Sequence, residues 1–264
     1  MTEPLAEIAL NDAEVAEVLR HCGPAALLVG GQALAFWATR YEVEPVGVLA
    51  AAITSDADFI GSAQVAASLG RSLGWQHWVP SLDDATTQTA KLTKTVPGIG
   101  IKQIDFLSGI VGLETDRVER RAVTVTLPDG AMIRVLHPLD VLESRLRNLL
   151  SLPSKRNAAG VAQARLAIAV ARRFLTMLAE PGSEQRTVLD AVERIAQVAM
   201  DKRLLQVFAD YDLDPLAAVP VTLIAGEEFQ SRRWPQIVKA VAAGTRRARP
   251  GRRLEGAQGG SADS

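Results

Sequence analysis

Residues 53–62 read ITSDADFIGS and set two carboxylates, Asp56 and Asp58, one residue apart among apolar neighbours. Isoleucine, phenylalanine and isoleucine flank them, so the spacing predicts a short strand rather than a solvated loop. Side chains alternate along a strand, so positions 56 and 58 share one face, about 6–7 Å apart, while Ala57 and Phe59 face the core. Two carboxylates at that separation repel, and holding them beside apolar groups costs free energy. A divalent cation removes the penalty. Magnesium suits the pair, because it accepts one or two carboxylates and keeps its other positions for water and phosphate oxygens. A solvated strand end, or a bridge to an arginine, accounts for the pair as well, so this stretch alone leaves both open.

Two distant stretches bear on that choice. LLVGGQALAFW at 27–37 reads as a buried strand, a glycine pair at Gly30 and Gly31, and a helix. Glycines at such a junction let a phosphate approach the backbone, where the free N–H groups of a helix start favour anions. A simple tight turn is the other reading. IKQIDFLSG at 101–109 is a second apolar strand with one acid, Asp105, between Ile104 and Phe106. Three carboxylates on neighbouring strands, facing a glycine turn, are the ingredients of a two-metal phosphoryl-transfer site.

Around these stretches the chain divides. Residues 3–22 carry apolar residues at helical spacing, with Asn11 or Asp12 available as a cap, and SAQVAASLGRSLG (62–74) reads as a capped helix stopped by Gly74. KLTKTV and IKQIDFL flank the turn PGIG, and AVTVTLPDGAMIRVL (122–136) is the clearest hairpin. From Pro138 the pattern becomes helical, through PLDVLESRLRNLLSL, AAGVAQARLAIAVARRFLTMLAE and about three further helices. The expectation is an α+β fold: an α/β catalytic core at 1–137, a helical domain at 138–248 and a disordered Gly/Ser-rich tail at 249–264.

Composition narrows the class. The 264 residues carry a net charge of −1, which supplies no global attraction to nucleic acid or membrane. Cys22 is the only cysteine, which excludes an intrachain disulfide and a thiolate-rich zinc site and agrees with a reducing compartment. The N-terminus has no basic segment followed by a long apolar one, and no apolar run approaches the roughly 20 residues of a membrane span. A cytoplasmic protein without membrane partners is expected.

Taken together, VGGQAL, TSDADFIG and KQIDFL resemble the nucleotidyltransferases of the DNA polymerase β superfamily. IRVLHPLDVLESRLRNLL (133–150) is similar to the junction of core and helical domain in AbiEii-type toxin nucleotidyltransferases. The likeness covers roughly 25–175. It implies a polymerase β-like core in which Gly30 and Gly31, with Gln32 and Ser55, hold the triphosphate. Asp56 and Asp58 would bind two Mg2+ ions, and Asp105 would complete the second metal site. The implied activity transfers a nucleoside monophosphate from an NTP to a hydroxyl, with a tRNA or other RNA, a protein or a small molecule as acceptor. The toxin likeness further implies a cognate antitoxin as partner. A catalytically silent relative that senses nucleotides is the alternative of a different class.

The chain departs from the family in three places. Residues 32–55 separate the glycine and aspartate pairs, about twice the usual interval; Arg145 stands where the toxins carry lysine; and Lys155-Arg156-Asn157 stands where they carry Arg-Asp. From Arg117 to Arg173 there are 11 basic residues and four acidic ones, an asymmetry suited to triphosphate or an RNA backbone, and equally to a solvated helix face. Arg145, Lys155 and Arg156 are the nucleotide-binding candidates among them. His137 and Asp140 read as structural residues at the start of a helix, and Lys91, Lys94 and Lys102 as strand lysines within reach of phosphate or guarding an edge.

Overall fold

The computed structural model describes residues 6–44 and 57–248, apart from 82 and 85. Asp56, Ser55 and the tail at 249–264 lie outside the described residues. The fold is α+β, built on a mixed seven-stranded sheet with helices packed on it. Strand order is β3-β4-β5-β2-β1-β7-β6, from β1 (Leu27–Val29), β2 (Ala57–Ile60), β3 (Gln76–Trp78), β4 (Gln88–Val96), β5 (Gly100–Leu107), β6 (Val123–Thr126) and β7 (Met132–Val135). The interior strand β1 is buried along its whole length, as a strand covered on both faces must be. It pairs antiparallel with β2 and parallel with β7, while β2 and β5 run parallel.

The local signals account for most elements. Helix α1 (Asp12–Cys22) starts at a reciprocal capping box between Asn11 and Glu14, so the helix expected over 3–22 is shorter. Residues 6–10 instead run beside the β4–β5 hairpin, with Glu7 bridged to Ile101: backbone pairing wins over apolar spacing there. Helix α2 (Gly30–Arg40) follows β1 with no connecting residue. Helix α3 (Ala63–Leu73) is capped by Ser62 and stopped by Gly74 in the left-handed region. After α4 (Thr115–Arg121) and the β6–β7 hairpin come α5 (Pro138–Ser151), α6 (Ala158–Leu178), α7 (Gln185–Met200), α8 (Leu205–Tyr211) and α9 (Trp234–Ala248).

Helix α5 begins at Pro138, whose missing N–H would have been unsatisfied there in any case. His137 caps it, its Nδ1 accepting from the Leu139 N–H at 3.1 Å. Helix α2 packs on β1 and β2 from one side and on α5 and α6 from the other, and the Trp37 indole donates to the Leu136 carbonyl at 2.7 Å. The buried apolar residues form one cluster running from Leu10 on the N-terminal side to Val241 in α9.

Candidate functional site

Strand alternation sorts β2 and β5 into two faces. Ala57, Phe59, Ile104 and Phe106 point into the core, nearly or wholly inaccessible, and the Phe59 and Phe106 rings stack 5.6 Å apart. Asp58 and Asp105 therefore share the opposite face. They are direct register partners on adjacent parallel strands, which lie about 4.8 Å apart. On its other side Asp58 faces Val29, the last residue of β1. The glycine pair follows at once.

Gly30 takes φ +67°, and a Cβ built there would run into the Asp58 carboxylate. Only glycine lets the backbone come that close. The carboxylate thus lies against the first turn of α2, the positive end of the helix. Gly31 is buried in the same turn.

Each aspartate has protein neighbours that offset its charge. The side-chain amides of Gln88 and Gln103 donate to the two Asp105 oxygens at 3.0 and 2.9 Å, and the Lys91 ammonium stands 3.9 Å away. Arg145 on α5 is buried; its Nη1 donates to Gln163 on α6 at 3.1 Å, and its Nε has no hydrogen-bond partner among the described residues. Burial lowers the Arg145 pKa, and the charge of Asp58 opposes that shift. The guanidinium therefore lies within electrostatic reach of Asp58.

The remaining sequence candidates fall elsewhere. The Arg156 guanidinium donates to the carbonyls of Leu149 and Leu150, closing the C-terminal end of α5. It also lines a largely apolar cavity of about 680 Å³ along α6, with Val161 and Leu166, that includes neither aspartate. Lys155 ends the short turn Pro153–Lys155 and is half-buried. Gln32 lines an apolar groove between α1 and α2, again without either aspartate. Lys102 pairs with Glu14, and Lys94 lies over the Trp75 ring.

Gln88, Gln103 and Gln163 are the polar neighbours that the sequence reading missed. Gln103 was within reach, because it sits two residues before Asp105 on the same strand face. Gln88 needed the register of β4 on β5, and Gln163 needed the packing of α6 on α5. Among the described residues there is no group of three or more His, Cys, Asp or Glu side chains placed to hold a metal. The two neighbouring carboxylates are nonetheless the donors a hard divalent cation prefers.

The chain matches no protein-family model. No curated protein matches it either. No helix among the described residues is long and apolar enough to cross a membrane.

Proposed function

We propose that the chain is a Mg2+-dependent nucleotidyltransferase with a polymerase β-like core, moving a nucleoside monophosphate from an NTP to a hydroxyl acceptor. The observation that carries this reading is the lateral pair Asp58–Asp105 set against the Gly30 turn. Asp58 and Asp105, joined by Asp56 from outside the described residues, would hold the magnesium. When bound, the metal neutralises phosphate charge and eases deprotonation of the attacking hydroxyl.

In the transfer, the acceptor oxygen bonds to the α-phosphorus, the α–β anhydride bond breaks, and pyrophosphate leaves with those electrons. The start of α2 offers backbone N–H groups to the triphosphate. Arg145 places positive charge within electrostatic reach of Asp58, and Gln88 and Gln103 orient Asp105. Such a site works by positioning and charge neutralisation. The likeness to toxin enzymes supports an RNA acceptor, tRNA among them, and an antitoxin partner.

A second reading has its own observation. Arg145 and the two glutamines offset the aspartates with protein groups alone, as suits a nucleotide-sensing module without transfer activity.

One experiment separates them. The full chain is incubated with Mg2+, cellular RNA, cell extract and each α-labelled NTP, beside Asp58→Asn and Asp105→Asn. Transfer predicts label on a macromolecule, reduced about 10²-fold or more in either variant. Magnesium-dependent nucleotide binding without labelling selects the sensor. Absence of both overturns the site.

A further inference from the structure

A second cavity, of about 490 Å³, opens on the far side of α5 from Arg145. Asp140, Glu143 and Arg147 lie at helical spacing along one face of α5. Arg145 is two residues from both Glu143 and Arg147, which is about 200° around the helix. The walls come from four places in the chain: the loop 112–114, α4, α5, and α7 with the turn after it. They are mostly polar, and five arginines line them: Arg117, Arg121, Arg147, Arg194 and Arg203.

Acids hold each of the five through Nε, Nη2 or both. Arg121 donates to Asp140 through Nε and Nη2, and Arg194 through Nη2. Arg147 uses Nε and Nη2 on Glu143 and Nη2 on Asp201, 3.1 Å away. Arg203 uses Nε and Nη2 on Asp201, and Arg117 uses Nε on Glu114. In none of the five does Nη1 donate a hydrogen bond to a described residue. Five guanidiniums against four carboxylates leave one positive charge. The carboxylates orient the cations beforehand, so a ligand would not have to order five flexible side chains. Gly112, at φ +75°, brings the loop down onto the Arg147 side chain, where a Cβ would collide with Cδ.

We infer that this cavity is a metal-independent binding site for the phosphate group of a small phosphorylated molecule. Guanidinium edges match phosphate oxygens in pairs, and the walled shape and size suit a small molecule rather than an extended RNA backbone. The site is separate from the aspartate pair and does not depend on the transferase reading.

The test is calorimetric titration of the full chain with inorganic phosphate and with ribose 5-phosphate, in EDTA. Saturable one-to-one binding is expected, unchanged in Asp58→Asn and weakened about tenfold or more in Arg117→Ala/Arg203→Ala. Both substituted side chains are largely exposed, so the variant should keep the wild-type melting temperature. Should it not fold, Arg117→Lys/Arg203→Lys keeps the charge, loses the fork, and is expected to weaken binding several-fold. No saturable binding, binding that survives the substitutions, or binding lost in Asp58→Asn would overturn the site. So would a short RNA that binds more tightly as it lengthens.

Discussion

Gly30 is where backbone and chemistry meet most closely. Its positive φ alone makes alanine cost about 1–2 kcal/mol, and the added methyl would also displace the Asp58 carboxylate. Gly30→Ala is therefore expected to lower the melting temperature and to abolish magnesium-dependent nucleotide binding. Asp58→Ala should relieve part of the strain, so the double variant should be more stable than the two single losses added together. Thermal melts of the four proteins measure that coupling, expected at about 1 kcal/mol or more. His137 gives a second test at this scale. Burial holds its pKa down to about 4, with Arg194 and Arg121 adding to the shift and Asp140 opposing it. The unfolded chain then binds a proton below about pH 6.5 that the folded chain refuses until about pH 4. Stability should fall as pH drops through that window, and protonation would also break the cap to Leu139. Denaturant melts of His137→Asn, which keeps a capping oxygen, should show a shallower decline between pH 6.5 and 4.

At the scale of elements, two junctions organise the molecule. One is the parallel pairing of β2 with β5, which turns two acids 47 positions apart in the chain into neighbours. The other is Asp140, fully buried on α5 and bound by Arg121 of α4 and Arg194 of α7 at 2.6 and 2.7 Å. Hydrogen bonding to Asp140 raises the Arg121 pKa, whereas deeper burial outweighs the same partner and lowers that of Arg194. Removing the shared acid would leave two cations facing each other. Asp140→Ala should destabilise the fold by about 3–5 kcal/mol in chemical denaturation. Asp140→Asn should cost less, because it keeps an acceptor for one of them. The sequence marked Asp140 as a helix-start residue, and no local pattern pointed to its two arginines, which arrive from elements on either side of α5.

For the whole molecule, the apolar cluster crosses the boundary expected near residue 137 without a break. Helix α2 lies between the sheet and α5–α6, and the His137 ring meets Phe174 of α6 edge-on at 5.0 Å. Shared burial of this kind couples the two regions energetically. Calorimetry of residues 6–248 should show one transition, with calorimetric and van't Hoff enthalpies in agreement. Residues 1–137 expressed alone should lack a cooperative melt. Two separated transitions would instead support 1–137 and 138–248 as independent folding units.

What the sequence by itself determined is whatever local chemistry dictates. It marked a cap at Asn11 or Asp12, the capped helix start at Ser62, the Gly74 stop, the hairpin at 122–136, the change to helices at Pro138, and strand character around Asp58 and Asp105, because capping, turn preference and two-residue alternation act within a few positions. Only the tertiary structure decided the register that sets Asp58 beside Asp105, the approach of Gly30, the burial of Arg145, and the placing of Arg156 on carbonyls. Those outcomes depend on which strands pair and which helices cover them. Pairing and cover are settled by burial across the whole chain, and spacing within any one stretch does not encode them.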